Sequence, residues 1–262
     1  MKTGLVLSGG GARGFAHVGV LKVLDEKKIP ISAIAGSSMG SIIGAFYASG
    51  LSGKKIEKIV KSITWKDFIR IMDLSFSRQG IIKGEKIIEF IKKYMKAETF
   101  EELKIPLIIN ATDLAKKKEV VFRKGNLFRA IRASISVPGL MIPEKINNKL
   151  LMDGGLINPL ALGLFKKQDI DSCIIVNVGT GLGGKIDLEK PNIVDILKQS
   201  INIMQDELIE LKLKTVKNHY VLIRPKIDHI KLFDIKDIEK MILKGENSTY
   251  KKLPEIEKLL KN

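Results

Sequence analysis

The amino-acid sequence predicts an α/β fold in three layers, α/β/α, with helices on both faces of a mainly parallel central sheet. Three observations predict it. Short β-rich apolar runs alternate with helical patterns along the chain. Glycine-rich turns follow the first two runs directly, and each opens into a helix. The 262 residues, 45% of them hydrophobic, suit one large core, and no internal repeat or low-complexity linker divides them.

The elements follow in order. Thr3-Gly4-Leu5-Val6-Leu7-Ser8 is an apolar strand, and residues 14–27 continue as a helix. Residues 32–36 form a second short strand. Residues 39–49 form a helix of small residues capped by Gly50, and 54–63 form another. Helices are expected at 84–95, 126–133 and 192–215, and strands at 106–112, 119–123, 150–153, 172–178 and 219–224. Residues 234–261 read as a helix with a break near Pro254. Trp65, Phe68, Ile69, Ile71, Met72, Leu74 and Phe76 form an apolar segment that ends at Ser77-Arg78-Gln79-Gly80. It reads either as a lid over a cleft or as packing against the core or a second copy of the chain. Residues 51–105 are thus a candidate cap within a single domain spanning 1–262.

Gly36-Ser37-Ser38-Met39-Gly40 lies between a strand and a helix and fits G-x-S-x-G. This is the pattern of a nucleophile elbow, a strained turn that lifts one serine hydroxyl clear of the backbone. Gly36 and Gly40 are glycines because strand and helix nearly touch there. Ser38 is the candidate nucleophile.

Gly9-Gly10-Gly11-Ala12-Arg13-Gly14 also follows a strand and opens a helix. Its G-x-G-x-x-G spacing is shared with dinucleotide-binding folds, which need an acid about 20 residues on for the ribose. No acid occurs from Lys27 to Gly53, so nucleotide binding is disfavoured. The other use of such a loop is an oxyanion hole, with backbone N–H groups converging on developing negative charge. Gly10 and Gly11 are the first donors expected, within the set Gly9, Gly10, Gly11, Arg13 and Gly14. Arg13 either orients the loop or is a surface charge of the first helical turn. The third motif is Asp153-Gly154-Gly155 at the end of a strand. There a carboxylate can be presented into a cleft, although Asp-Gly is also ordinary turn chemistry.

These three motifs, in this order and approximate spacing, resemble the patatin-like phospholipases. The resemblance is to short bacterial members related to the catalytic domain of neuropathy-target-esterase-type lysophospholipases. It runs from Lys2 to about Gly181 and more loosely beyond. Gly14-Phe15-Ala16-His17-Val18-Gly19-Val20-Leu21, Asn110-Ala111-Thr112-Asp113-Leu114 and Ala133-Ser134-Ile135-Ser136-Val137-Pro138-Gly139 add to it. The resemblance implies a patatin-like fold and hydrolysis of lipid acyl esters by a Ser–Asp dyad. Ser38 would be nucleophile and Asp153 base, with an oxyanion hole in the 9–14 loop, no metal and no cofactor.

Two alternatives stand beside this reading. A Ser-His-Asp triad would use His219 or His229, which follow Ser38 and Asp153 in α/β-hydrolase order. Both are expected to be structural or solvated instead. His17, one turn into the first helix, is expected to pack and hydrogen-bond, with a supporting role near the site as its alternative. A lipid-binding protein without turnover would have no need of both Ser38 and Asp153.

Charge and composition bound the partners. The net charge is +16, and residues 51–150 carry twice as many basic as acidic side chains. A cationic rim would be attracted to anionic membrane surfaces, by about 1 kcal/mol per basic residue held close; the alternative is a solvated lysine-rich surface. Aromatic content of 6% and the lack of a binding motif argue against nucleic acid. Ile29–Gly53 holds no charge, but its proline, serines and glycines suit strand, elbow and buried helix better than a membrane span. No signal peptide of the usual form is read at the start. The single cysteine, Cys173, is expected as a buried core thiol, which suits a cytoplasmic protein.

Overall fold

The computed structural model describes residues 2–71, 73–77, 80–166, 170–179, 193–216, 219–227 and 237–261. In chain order the strands are β1 (Thr3–Leu7), β2 (Ala33–Gly36), β3 (Leu74–Ser77), β4 (Gly80–Ile82), β5 (Leu107–Asp113), β6 (Lys118–Phe122), β7 (Glu144–Ile146), β8 (Lys149–Asp153), β9 (Ser172–Val176) and β10 (His219–Ile223). The α-helices are α1 (Ala16–Glu26), α2 (Met39–Ala48), α3 (Gly53–Lys61), α4 (Trp65–Ile71), α5 (Glu85–Lys92), α6 (Leu127–Ser134), α7 (Ile193–Lys214) and α8 (Ile238–Leu259).

Strands β10, β9, β1, β2 and β5 lie side by side and parallel in that order. Their residues alternate between two cores, as strands buried on both faces must. Leu5, Leu7, Ile34, Ile109 and Ile174 face the larger core, which α1, α2, α3, α6 and α8 fill. Val6, Ala35, Ile108, Cys173 and Ile175 face a thinner layer made by Ile209 and Leu213 of α7 and the irregular stretch Leu160–Leu164. Cys173 is buried there, and burial pushes its thiol up to about 11. Helices α1 and α8 pack at glycine contacts. A Cβ on Gly19 would stand 2.0 Å from the Ile242 carbonyl, and one on Gly245 the same distance from that of Ala16.

Three strands depart from the parallel order, and they bring the site together. Along β5, Ile109 pairs with both Gly36 of β2 and Phe122 of β6, so β2 and β6 occupy opposite edges. Ala111 pairs with both Val120 of β6 and Asp153 of β8. Hence β2 and β8 share one edge of β5. Because β8 is antiparallel, the C-terminal ends of β2 and β8 meet head-on, two β5 residues apart, about 7 Å at the usual rise. A parallel strand at 150–153 would not present Asp153 this way.

The structure revises several expectations. Strand β7, antiparallel to β8, was not foreseen; three residues carry too short a pattern to read. The apolar segment from residue 65 is not a bare loop. It forms α4 and the antiparallel hairpin β3–β4. Helix α8 runs through Pro254 without the expected break. Ile256 and Leu259, beyond the proline, are buried in the larger core. Burying two such side chains contributes about as much as an interior proline costs, roughly 3 kcal/mol. The side chains of Trp65, Phe68, Ile69 and Phe76 lie outside the described residues. So do Met72, Arg78, Gln79, His229 and residues 234–236.

Candidate active site

Ser38 sits between β2 and α2 with φ 50° and ψ −123°, a conformation that non-glycine residues rarely adopt. The geometry is held from several sides. The Ser38 N–H donates to Ser134 Oγ at 2.9 Å, and the Ser38 carbonyl accepts from Ser41 Oγ at 2.6 Å. A Cβ on Gly36 would meet the Gly40 carbonyl oxygen at 2.5 Å, and one on Gly40 would meet that of Leu7 at 2.2 Å. The close approach of strand and helix therefore requires glycine at both places.

Asp153 ends β8 and is buried, 6% exposed. Its carboxylate faces the Ser38 hydroxyl and accepts at 2.7 Å from the Gly155 N–H. Burial pushes the carboxyl up to about 6, while the Ser38 hydroxyl and the Gly155 N–H pull the other way. The Asp153 backbone is fixed as well. Its N–H donates to the Ser136 carbonyl at 2.9 Å, and its carbonyl accepts from Thr112 Oγ1 at 3.0 Å. Gly154 fits against Asn110, whose Oδ1 would lie 2.3 Å from any Cβ there. The Gly155 carbonyl accepts from Gln205 Nε2 of α7 at 3.0 Å.

The first glycine turn lies beside these groups. Gly10 and Gly11 have φ of 146° and 55°, which suit glycine, and residues 11–15 wind into a short 3₁₀ helix ahead of α1. The Gly9 N–H is taken by the Pro159 carbonyl at 2.9 Å, and the Arg13 N–H by the Gly10 carbonyl at 3.2 Å. Gly14 packs against Met39, whose Cγ would lie 2.2 Å from a Cβ there. The Arg13 side chain is buried, not a surface charge, with its guanidinium 3.4 Å from the Cβ position of Gly179. Ser8 Oγ joins the turn to the end of β9 by accepting the Val178 N–H at 3.0 Å.

Two spaces open on either side of Ser38. One, of about 150 Å³, is lined almost wholly by apolar groups: Met39, Ile43, Phe46, Ile87, Phe90 and Ile135 among them, with Ile71 of α4 at its wall. The other, of about 30 Å³, is lined by Gly9, Gly10, Gly11, Asp153, Gly155 and Gln205. Ser38 and Gly11 border both.

Neither described histidine lines either space. His219 pairs with Ser172 at the start of β10, at the opposite end of the parallel sheet from the C-terminal end of β2, and is exposed. His17 is fully buried with Nε2 at 2.9 Å from the Ser8 carbonyl and Nδ1 unpartnered. Burial drives its pKa down to about 4, against the opposing effect of the Ser8 bond, so it is a neutral Nε2–H tautomer bracing the glycine turn. Among the described residues no three His, Cys, Asp or Glu side chains converge as a metal site, and no helix is long and apolar enough to cross a membrane.

Sequence reasoning gave no role to Ser134, Ser136, Thr112, Asn158 or Gln205. Asn158 receives the Asn110 Nδ2–H at its carbonyl at 2.9 Å, which helps hold the turn after Asp153. Ser134, Ser136 and Thr112 lie within stretches that carried the resemblance, which was the available signal.

The sequence pattern of the family described as Patatin-like phospholipase matches residues 5–165. The chain belongs to the patatin-like phospholipase family. Relatives agree. An uncharacterized NTE family protein of Mycobacterium tuberculosis is 37% identical over 192 residues, 73% of this chain and 53% of the relative. Lysophospholipase NTE1 of Pyricularia oryzae is 33% identical over 185 residues, 68% of this chain and 12% of the relative. The chain thus spans about half the length of the mycobacterial relative. The crystal structure of VipD from Legionella pneumophila shares the fold with a TM-score of 0.56 at 16% identity, covering 97% of this chain and 67% of that one. In this patatin-like chain the matched region ends just past the Asp153 turn and so contains all three glycine motifs.

Proposed function

We propose that this chain is a serine acyl hydrolase of lipid carboxylic esters, of the phospholipid or lysophospholipid class, working through a Ser38–Asp153 dyad. One observation carries the reading. A serine hydroxyl beside a buried carboxylate stands at the boundary between an apolar cavity and a small polar pocket. Family membership and the relative named as a lysophospholipase support it.

A serine hydroxyl attacks an ester well only when a base removes its proton. Asp153, raised toward neutrality by burial, is a stronger base than a solvated carboxylate. Ser38 Oγ adds to the ester carbonyl carbon as its proton passes to Asp153. The oxyanion that forms faces the N–H groups of Gly10 and Gly11. The Gly9 and Arg13 N–H groups are already bonded within the protein, so the two central glycines are the donors chosen. Collapse of the tetrahedral adduct breaks the ester C–O bond, and the departing alcohol takes the proton from Asp153. Water then attacks the acyl-serine, again giving its proton to Asp153, and the fatty acid leaves as Ser38 is reprotonated.

The apolar cavity would hold the acyl chain. Cavities near 150 Å³ lined by such side chains accommodate a group about the size of benzene, so roughly six carbons fit before the chain must leave the protein. Residues 51–105 act as a cap over this cavity, and the basic surface of 51–150 favours anionic lipid surfaces. Hydrolysis of a chromogenic acyl ester by the purified protein tests the reading. Ser38→Ala and Asp153→Asn are expected to be folded and inactive. Full activity in either would remove that residue from the chemistry.

A further inference from the structure

We propose that the turn ending α6 sets the spacing between Ser38 and Asp153, with Ser134 and Ser136 as positioning residues and Arg132 locking the turn to the cap. This rests on the dyad reading above.

The two reacting residues come from strands far apart in sequence, and each is tied by its backbone to the same turn. Ser134 Oγ accepts the Ser38 N–H at 2.9 Å. Two residues on, the Ser136 carbonyl accepts the Asp153 N–H, also at 2.9 Å. Both serines are completely buried. Ser38 has the greater need of such a tie, because it lies beyond the end of β2 and caps the start of α2, where N–H groups have no intrahelical acceptor. Its partner must therefore come from elsewhere. Ser134 supplies it, and the Ser38 N–H is thereby directed away from any part in oxyanion binding.

The turn is in turn held by Arg132, a buried residue with 7% exposure. Nη1 donates to Ser136 Oγ at 2.6 Å, and that hydroxyl donates to the Arg132 carbonyl at 2.8 Å. Nη2 donates to the Ile142 carbonyl at 2.7 Å and to the Lys83 carbonyl. Lys83 lies between β4 and α5, and α5 carries Ile87 and Phe90 into the apolar cavity. Ile142 follows Met141, another cavity residue. One guanidinium thus joins the wall of the acyl cavity to the turn that carries both backbone ties. Its rigid fork of donors suits three fixed acceptors in a way a lysine ammonium does not. A displacement of about 1 Å between reacting groups costs up to about 100-fold in rate, so small movements of this turn matter.

The test uses the full chain, a short chromogenic ester and the rate at which a fluorophosphonate labels Ser38. Ser134→Ala is expected to lose about 10- to 100-fold in kcat and in labelling rate, with KM within about twofold and a cooperative melt retained. Ser134→Thr, which keeps the acceptor oxygen, is expected to recover most of that loss. Ser136→Ala and Arg132→Gln leave both backbone ties in place and are expected to lose about tenfold in kcat. They serve as the second variants should Ser134→Ala not fold. A folded Ser134→Ala with wild-type kcat and labelling rate would overturn the positioning role, and wild-type kcat in Ser136→Ala and Arg132→Gln would overturn the lock. Failure of the unmodified protein to label at Ser38 would instead overturn the dyad reading.

Discussion

The two spaces beside Ser38 are built by opposite means. The larger is aliphatic and aromatic, walled by α2, α5 and the turn after α6. The smaller is polar, formed by glycine turns, Asp153 and a glutamine, and holds little more than a water molecule. Burial of apolar surface is non-directional and roughly proportional to area, so the large space can select for chain size but cannot orient a reaction. The small space has few groups, each fixed by hydrogen bonds and by glycines that admit no side chain, and so can do chemistry but offers little binding energy. The division predicts that substitutions on one side change which ester is used, and those on the other whether any is.

The largest effects belong to the polar side. Ser38→Ala and Asp153→Asn should each lower kcat by about 10⁴-fold or more, as nucleophile and base losses do elsewhere, in steady-state assays with a chromogenic ester. Residual activity within tenfold of wild type would break the comparison.

Stability against pH comes next. Asp153 is raised from 3.8 to about 6 in the fold, so its contribution is most favourable below 3.8 and is lost as pH rises through 6. His17 is lowered from 6.5 to about 4, so its contribution is present above 6.5 and is lost as pH falls toward 4. Each amounts to roughly 3 kcal/mol, and the two oppose each other between pH 4 and 6. Asp153→Asn should therefore be more stable than wild type at pH 7 and lose stability more steeply on acidification. Denaturant melts at pH 7 and pH 4.5 would check this.

The same ionisation should appear in catalysis. Only ionised Asp153 accepts a proton, so kcat/KM should fall tenfold per pH unit below about 6 and level off above 7. A profile flat from pH 5 to 8 would contradict Asp153 as base. On the apolar side the effect per step is smaller. Each added methylene should raise kcat/KM about fourfold until the cavity is filled near six carbons, from about 0.8 kcal/mol per buried methylene. Ile87→Phe, on the cavity wall formed by α5, should shorten that series without changing the rate for acetate esters. Least of all, His219→Ala should alter activity less than twofold, because it lies at the far end of the sheet.

The polar side was more legible in the sequence than the apolar one, for a physical reason. Gly36, Gly40, Gly10 and Gly155 occupy places where backbone or another fixed group leaves no room for a Cβ or where φ is positive, and such constraints leave few residue choices. The cavity wall needs only apolar bulk, which many residues supply, so Ile71 or Phe90 carried no distinguishing mark. The parallel strands were legible because both faces are buried and the runs are continuously apolar. The antiparallel β8 was read as a strand but not in its direction, since direction depends on the β7–β8 pairing and not on local pattern. Ser134 lies in a stretch that carried the resemblance, but its contact was not legible because its partner lies 96 residues away.

The most direct measurement is fluorophosphonate labelling followed by peptide mapping, run on the unmodified chain and on folded Asp153→Asn. The label should appear on the peptide holding Ser38 in the first and be nearly absent from the second. Label on any other serine, or equal labelling of Ser38 without the carboxylate, would contradict a hydroxyl activated by Asp153.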